Sequence, residues 1–181
     1  MKQFILLSFI LSTGITLNAQ KYYTKNGTIS FYSKASIENI SADNNQVMST
    51  LDVQSGQVQF SVLIKAFHFK KSLMEEHFNE EYMESGKYPK ATFKGNLQDP
   101  KPDLGKDGNY NVIITGDMTI HGVTKNVSTP GTITVKDGIA TGKSTFKVTL
   151  ADYKISIPKI VKDNIAETVD VTVSCVYDKK M

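Results

Sequence analysis

Apolar and polar residues alternate with a period of two along most of this 181-residue chain, which commits it to strands with one buried and one wet face. The strongest runs cover residues 58–65, 91–97, 110–118, 144–150 and 169–177. Weaker runs lie at 28–32, 36–40, 47–53 and 123–135. Eight or nine strands at this spacing make an all-β sandwich or barrel. Ser55-Gly56, Asp107-Gly108-Asn109 and Asp137-Gly138 read as hairpin turns, because Gly tolerates the positive φ that tight turns demand. Asp99-Pro100-Lys101-Pro102-Asp103 reads as a loop, since prolines cannot donate within a central ladder. One parity carries Phe60, Val62, Ile64, Phe93, Val112, Ile114, Met118, Phe146 and Val148, and the other carries mainly Lys, Thr, Ser, Gln and Asp. A closed sheet has no edge to protect, so an antiparallel barrel is the favoured architecture.

One segment breaks the period. Leu73, Met74, His77, Phe78, Glu81 and Tyr82 recur at helical spacing, which predicts a short helical segment near residues 72–85. Ser72 with Glu75 spells a capping box, and Gly86 reads as the stop, with Pro89 forbidding continuation.

The N-terminus sets the compartment. Met1-Lys2, an apolar run over 4–17 and the small residue Ala19 read as a secretory signal peptide over 1–19, with 20–181 as a single domain. The run is shorter than the ~20 residues that span a bilayer, so no transmembrane segment is expected in the mature chain. The protein is expected to be periplasmic or secreted. Its lone cysteine, Cys175, can form no internal disulfide and shares the parity of Val169, Val171 and Val173, so it is expected in the core. The formal net charge is +3, carried by scattered lysines, which is no footprint for nucleic acid.

Chemistry-bearing patterns are sparse. His68, His77 and His121 lie on different elements without HxH or HxxxH spacing, and no GxSxG, phosphate-binding loop or dinucleotide fingerprint occurs. Glu75, Glu76, Glu80, Glu81 and Glu84 fall mostly on the solvated side of the helical segment. A metal-dependent enzyme would need the histidines to converge in space. The expectation is a protein that is not an enzyme, with no cofactor and no metal. Aromatic residues gather between Phe60 and Tyr88, where they are either core packing or the walls of an apolar pocket.

Three segments together resemble the YceI-like family. They are His77 through Gly95, with its Lys87-Tyr88-Pro89 turn; Gly116-Asp117-Met118-Thr119-Ile120-His121-Gly122-Val123-Thr124-Lys125; and Phe146 through Ile155. They occur in the family's order, and the chain resembles a short branch of it. Many members carry an Arg-Asp pair where this chain has Met74-Glu75. The resemblance implies an eight-stranded antiparallel, lipocalin-like barrel with a helix near one end. It also implies a non-catalytic exported protein that binds a long-chain isoprenoid or other amphiphilic lipid, as monomer or homodimer.

The implied site is the apolar interior. Its expected walls are Phe60, Val62, Ile64, Phe67, Phe93, Val112, Ile114, Met118, Phe146 and Val148, with Met74, Phe78 and Tyr82 closing one end and His77 near the mouth. A filled barrel acting as a structural or stress-response interaction protein, with no internal ligand, is the competing reading, and periodicity alone does not separate the two.

Overall fold

The structure, a computed structural model, describes residues 21–180. The expected signal peptide over 1–19 lies outside the described residues, as do Gln20 and Met181. Ten strands follow one another as β1 (Lys21–Lys34), β2 (Asn39–Asp52), β3 (Gln57–Leu63), β4 (His68–Phe69), β5 (Lys90–Leu97), β6 (Gly108–Ile120), β7 (Val123–Lys136), β8 (Ile139–Thr149), β9 (Thr168–Tyr177) and β10 (Lys179–Lys180). β4 and β10 are two-residue additions to β2 and β1. The other eight strands pair antiparallel in the order β1-β2-β3-β5-β6-β7-β8-β9, and β9 returns to β1. The sheet is therefore a closed eight-stranded antiparallel barrel, the architecture favoured from the sequence.

Closure needs tight curvature, and two places supply it. In β1 and β2 the register shifts between Thr24 and Gly27 and again before Ile29. Such bulges bend a strand and increase its twist. On the opposite wall Gly95 of β5 faces Gly116 of β6. A Cβ built on Gly116 would lie 2.3 Å from the Gly95 Cα, so the two backbones meet where no side chain fits.

The inward residues divide the barrel into two halves. At the end bearing the β7–β8 hairpin, Tyr22, Val47, Leu51, Val58, Leu97, Ile133, Val135, Ala140, Cys175 and Tyr177 are all buried. Leu104, from the loop between β5 and β6, is buried with them. Ser49 Oγ and the Tyr177 hydroxyl share a buried 2.7 Å hydrogen bond within this packing. The opposite half is not filled, and it is roofed by the helical segment.

That segment is more irregular than its sequence implies. An α-helix, α1, covers only Ser72–His77, and Phe78–Tyr82 continues as a π-turn closed by the Met83 N–H donating to the Phe78 carbonyl at 2.9 Å. The capping box is not formed. Lys71 occupies the cap, Ser72 is the first helical residue, and the Glu75 carboxylate instead accepts from the Phe69 N–H at 3.1 Å. Gly86 is not the stop either: the helix ends at Tyr82, and Glu84 takes the left-handed conformation with φ 42°. Residues 36–40 are likewise no separate strand. They form the β1–β2 turn and the first residues of β2. Asp107-Gly108 ends a longer loop and opens β6, whereas Asp137-Gly138 forms the expected tight turn at φ 52° and 75°.

Candidate functional site

The open half encloses a cavity of about 420 Å³. That falls within the roughly 300–1,000 Å³ of small-molecule sites. Its walls follow from strand parity. β3 presents Phe60 and Val62, β5 presents Ala91 and Phe93, β6 presents Ile114, Met118 and Ile120, and β8 presents Phe146 and Val148. The short 3₁₀ turn Ile64–Ala66 adds Ile64, and Phe67 follows it. The roof brings Met74 and His77 from α1, and Phe78, Tyr82 and Met83 from the π-turn and its end. Thirteen of the fourteen expected site residues thus line one space. Val112 does not. It is buried one inward position below Ile114, towards the filled half, opposite Gly131 on β7.

Several lining residues were not singled out from the sequence. Val169, Val171 and Val173 of β9 line the cavity, and their shared parity with Cys175 was the available signal. Ile29 and Phe31 of β1 sit in a weak run whose pattern the bulge disrupts. Val161, Asn164 and Ile165 belong to a strap, residues 156–167, that has no periodicity to read.

Aromatic contacts hold the roof. The Phe78 ring lies 5.6 Å from Phe31, 5.5 Å from Phe67 and 5.0 Å from Phe69, measured between centroids. Each such pair adds about 0.5–1.5 kcal/mol beyond its buried area. Polar lining groups are few. Ser144 Oγ on β8 donates to the Pro130 carbonyl at 2.7 Å, which leaves its lone pairs towards Thr129 Oγ1 at 3.5 Å. Burial of the Tyr82 phenol raises its pKa above the ordinary value, with the Glu81 carboxylate adding to the effect. Glu38 of the β1–β2 turn, His77 of α1 and Asn164 of the strap are polar, partly exposed residues of the lining.

The three histidines have separate settings. His68 Nδ1 lies 3.6 Å from Glu75 at an exposed site, and His77 lines the cavity. His121, in the β6–β7 turn, joins two other elements instead. Its Nδ1 donates to the Tyr153 carbonyl at 3.1 Å and its Nε2 lies 2.7 Å from Glu84 Oε2. Tyr88 packs edge-on against the imidazole at 4.6 Å, and a Cβ at Gly122 would lie 2.5 Å from the Tyr88 ring. His121 itself has φ 49°, so both partners of this latch sit in the left-handed region. Among the described residues, no group of three or more His, Cys, Asp or Glu side chains is arranged to hold a metal ion.

A family model for the YceI-like domain matches residues 21–177. The chain belongs to the YceI-like family. Solved structures of the same fold include a polyisoprenoid-binding domain from Saccharophagus degradans, at 14% identity and TM-score 0.73, covering 88% of this chain and 98% of that one. BcnA from Burkholderia cenocepacia shares 16% identity at TM-score 0.69, covering 83% and 95% respectively. A YceI protein from Campylobacter jejuni shares 16% at TM-score 0.56, covering 100% and 99%. No curated protein sequence matches the chain significantly. In this YceI-like barrel the latch unites two of the segments that carry the family resemblance, the Lys87-Tyr88-Pro89 turn and the hairpin containing His121-Gly122. Their contacts fasten the roof to the barrel rim.

Proposed function

We propose that the open half of the barrel holds one apolar, isoprenoid- or lipid-like chain, and that the protein is an exported, non-catalytic carrier working in the periplasm or beyond the cell. The observation that carries this reading is the cavity itself. It is about 420 Å³ in volume and walled by side chains such as Phe60, Ile114, Phe146 and Val171. Apolar burial supplies the affinity, at about 25 cal/mol for each Å² removed from water. His77, the histidine of the cavity lining, would hydrogen-bond a head group in this reading. The polyisoprenoid-binding description of the Saccharophagus degradans relative supports the ligand class. The processed domain begins at Gln20 in this reading.

The cavity is also what a filled barrel would lack, so the interaction-protein reading is the weaker of the two. The test is native mass spectrometry with organic extraction of the purified protein, before and after incubation with a polyprenol. One bound lipid per chain is expected. A clean apo mass under both conditions would overturn the proposal.

A further inference from the structure

The large apolar side chains most exposed to solvent are not scattered. Ile160 is 92% exposed, Ile37 70% and Leu73 60%. The others, such as Met48, Ile113 and Val176, are less exposed and stand singly on strands of the outer wall. Single exposed apolar residues are ordinary, whereas a group of them asks for a partner. Ile37 lies in the β1–β2 turn, Leu73 at the start of α1 and Ile160 in the strap.

These segments are joined to one another. The Ile37 N–H donates to the Asp163 carbonyl at 3.1 Å, which ties the turn to the strap. Lys71 Nζ meets Glu38 at 2.6 Å, which ties the turn to α1. Each exposed side chain also neighbours a residue that lines the cavity: Glu38, Met74 and Val161. The apolar tips therefore stand on segments that contribute to the cavity lining.

Charge is arranged around them. Lys34, Lys70 and Lys159 flank the tips and form no ion pair among the described residues. Glu38 and Glu167 are neutralised by Lys71 and Lys162, and Glu75 faces His68. Glu76 and Asp163 on the same segments, and Glu80 and Glu81 in the π-turn that continues α1, form no ion pair among the described residues. Unpaired lysines beside protruding Ile and Leu side chains match the interface of an anionic bilayer, where the apolar tips enter the acyl boundary and the ammonium groups reach phosphate.

We infer that the mouth rim is a membrane-docking surface, which seats the barrel on a lipid bilayer so that a chain passes between the bilayer and the cavity without crossing water. The inference rests on the carrier reading above. No described helix is long and apolar enough to cross a membrane.

The test uses two assays on the full mature chain. The first is flotation with vesicles of phosphatidylcholine and phosphatidylglycerol. The second is fluorescence of a dansyl fatty acid delivered either from ethanol or from those vesicles. The triple change Ile37→Ser, Leu73→Ser, Ile160→Ser touches no core position. It is expected to lower vesicle partitioning by about a thousandfold, since each of the three tips contributes about tenfold, and to slow uptake from vesicles while leaving uptake from ethanol unchanged. Lys34→Gln, Lys70→Gln, Lys159→Gln is expected to weaken binding to anionic vesicles and not to pure phosphatidylcholine. Flotation and vesicle uptake equal to the native protein's in the apolar triple variant would overturn the docking surface and leave the carrier reading intact. Loss of concentration-dependent dimerisation in that variant, with no vesicle binding by the native protein, would assign the rim to a second copy and overturn it as well. Absence of uptake from ethanol by the native protein would instead count against the carrier reading.

Discussion

At the scale of single residues, the filled half of the barrel holds its titratable groups in an apolar setting. Burial pushes the Cys175 thiol from 9.0 up to about 12. Burial also raises the Tyr177 phenol, with Cys175 reinforcing the shift and the Ser49 hydrogen bond opposing it. Both groups are neutral when folded, so their contribution to stability is complete below the unfolded thiol value. As the pH rises from 9.0 towards about 12, the unfolded thiol ionises and the folded one does not. Stability is therefore expected to fall through that window, by at most about 1.4 kcal/mol per pH unit for each group. Denaturant titrations at rising pH measure this, and Cys175→Ala should make the fall shallower. An unchanged slope in that variant would contradict the assignment. The sequence already placed Cys175 inside by its parity with the β9 valines. It could not reveal the Ser49–Tyr177 hydrogen bond, because that pairing spans β2 and β9, which only the closed sheet brings together.

At the scale of elements, the roof is held by packing on one side and by the His121–Glu84 latch on the other. His121→Ala leaves the Tyr153 carbonyl without its donor and the Tyr88 ring without its neighbour. It is expected to cost about 1–3 kcal/mol. The loss should be local, seen as faster hydrogen exchange over residues 78–88 while the β9 amides stay protected. Uniform acceleration across the barrel would mean that the latch supports the whole fold and not the roof. The existence of this helical segment was readable from its 3.6-residue spacing, but its form was not. A capping box is a local signature, and here tertiary partners claimed it: the Glu75 carboxylate serves the Phe69 N–H, and the close packing of Phe78 among Phe31, Phe67 and Phe69 accompanies a π-turn. Gly86 failed as the stop for a similar reason, since Glu84 is held in the left-handed region while its carboxylate meets His121.

At the scale of the whole molecule, the barrel is solid at one end and hollow at the other. Period-two alternation revealed which residues point inward, and thirteen of the fourteen expected site residues line the cavity. It did not reveal where along the axis the filling stops, because inward apolar residues look alike in sequence whether they meet each other or empty space. Val112 fell on the wrong side of that boundary for this reason alone. Val173, at the cavity floor beside Ile29 and Ser144, offers a test of the division. Val173→Trp should occupy free volume, keep the melting temperature close to the native value and abolish uptake of a polyprenol. Leu51→Trp, in the filled half, should instead destabilise the barrel by about 1–3 kcal/mol or more. The most direct measurement is a crystal structure of the protein loaded with a terminally brominated polyprenol, with bromine located by its anomalous signal. One chain bounded by Phe78, Ile114, Phe146 and Val171 is expected, with no bromine in the half packed around Leu51 and Tyr177. Bromine confined to the outer wall, or absent at saturating lipid, would contradict it.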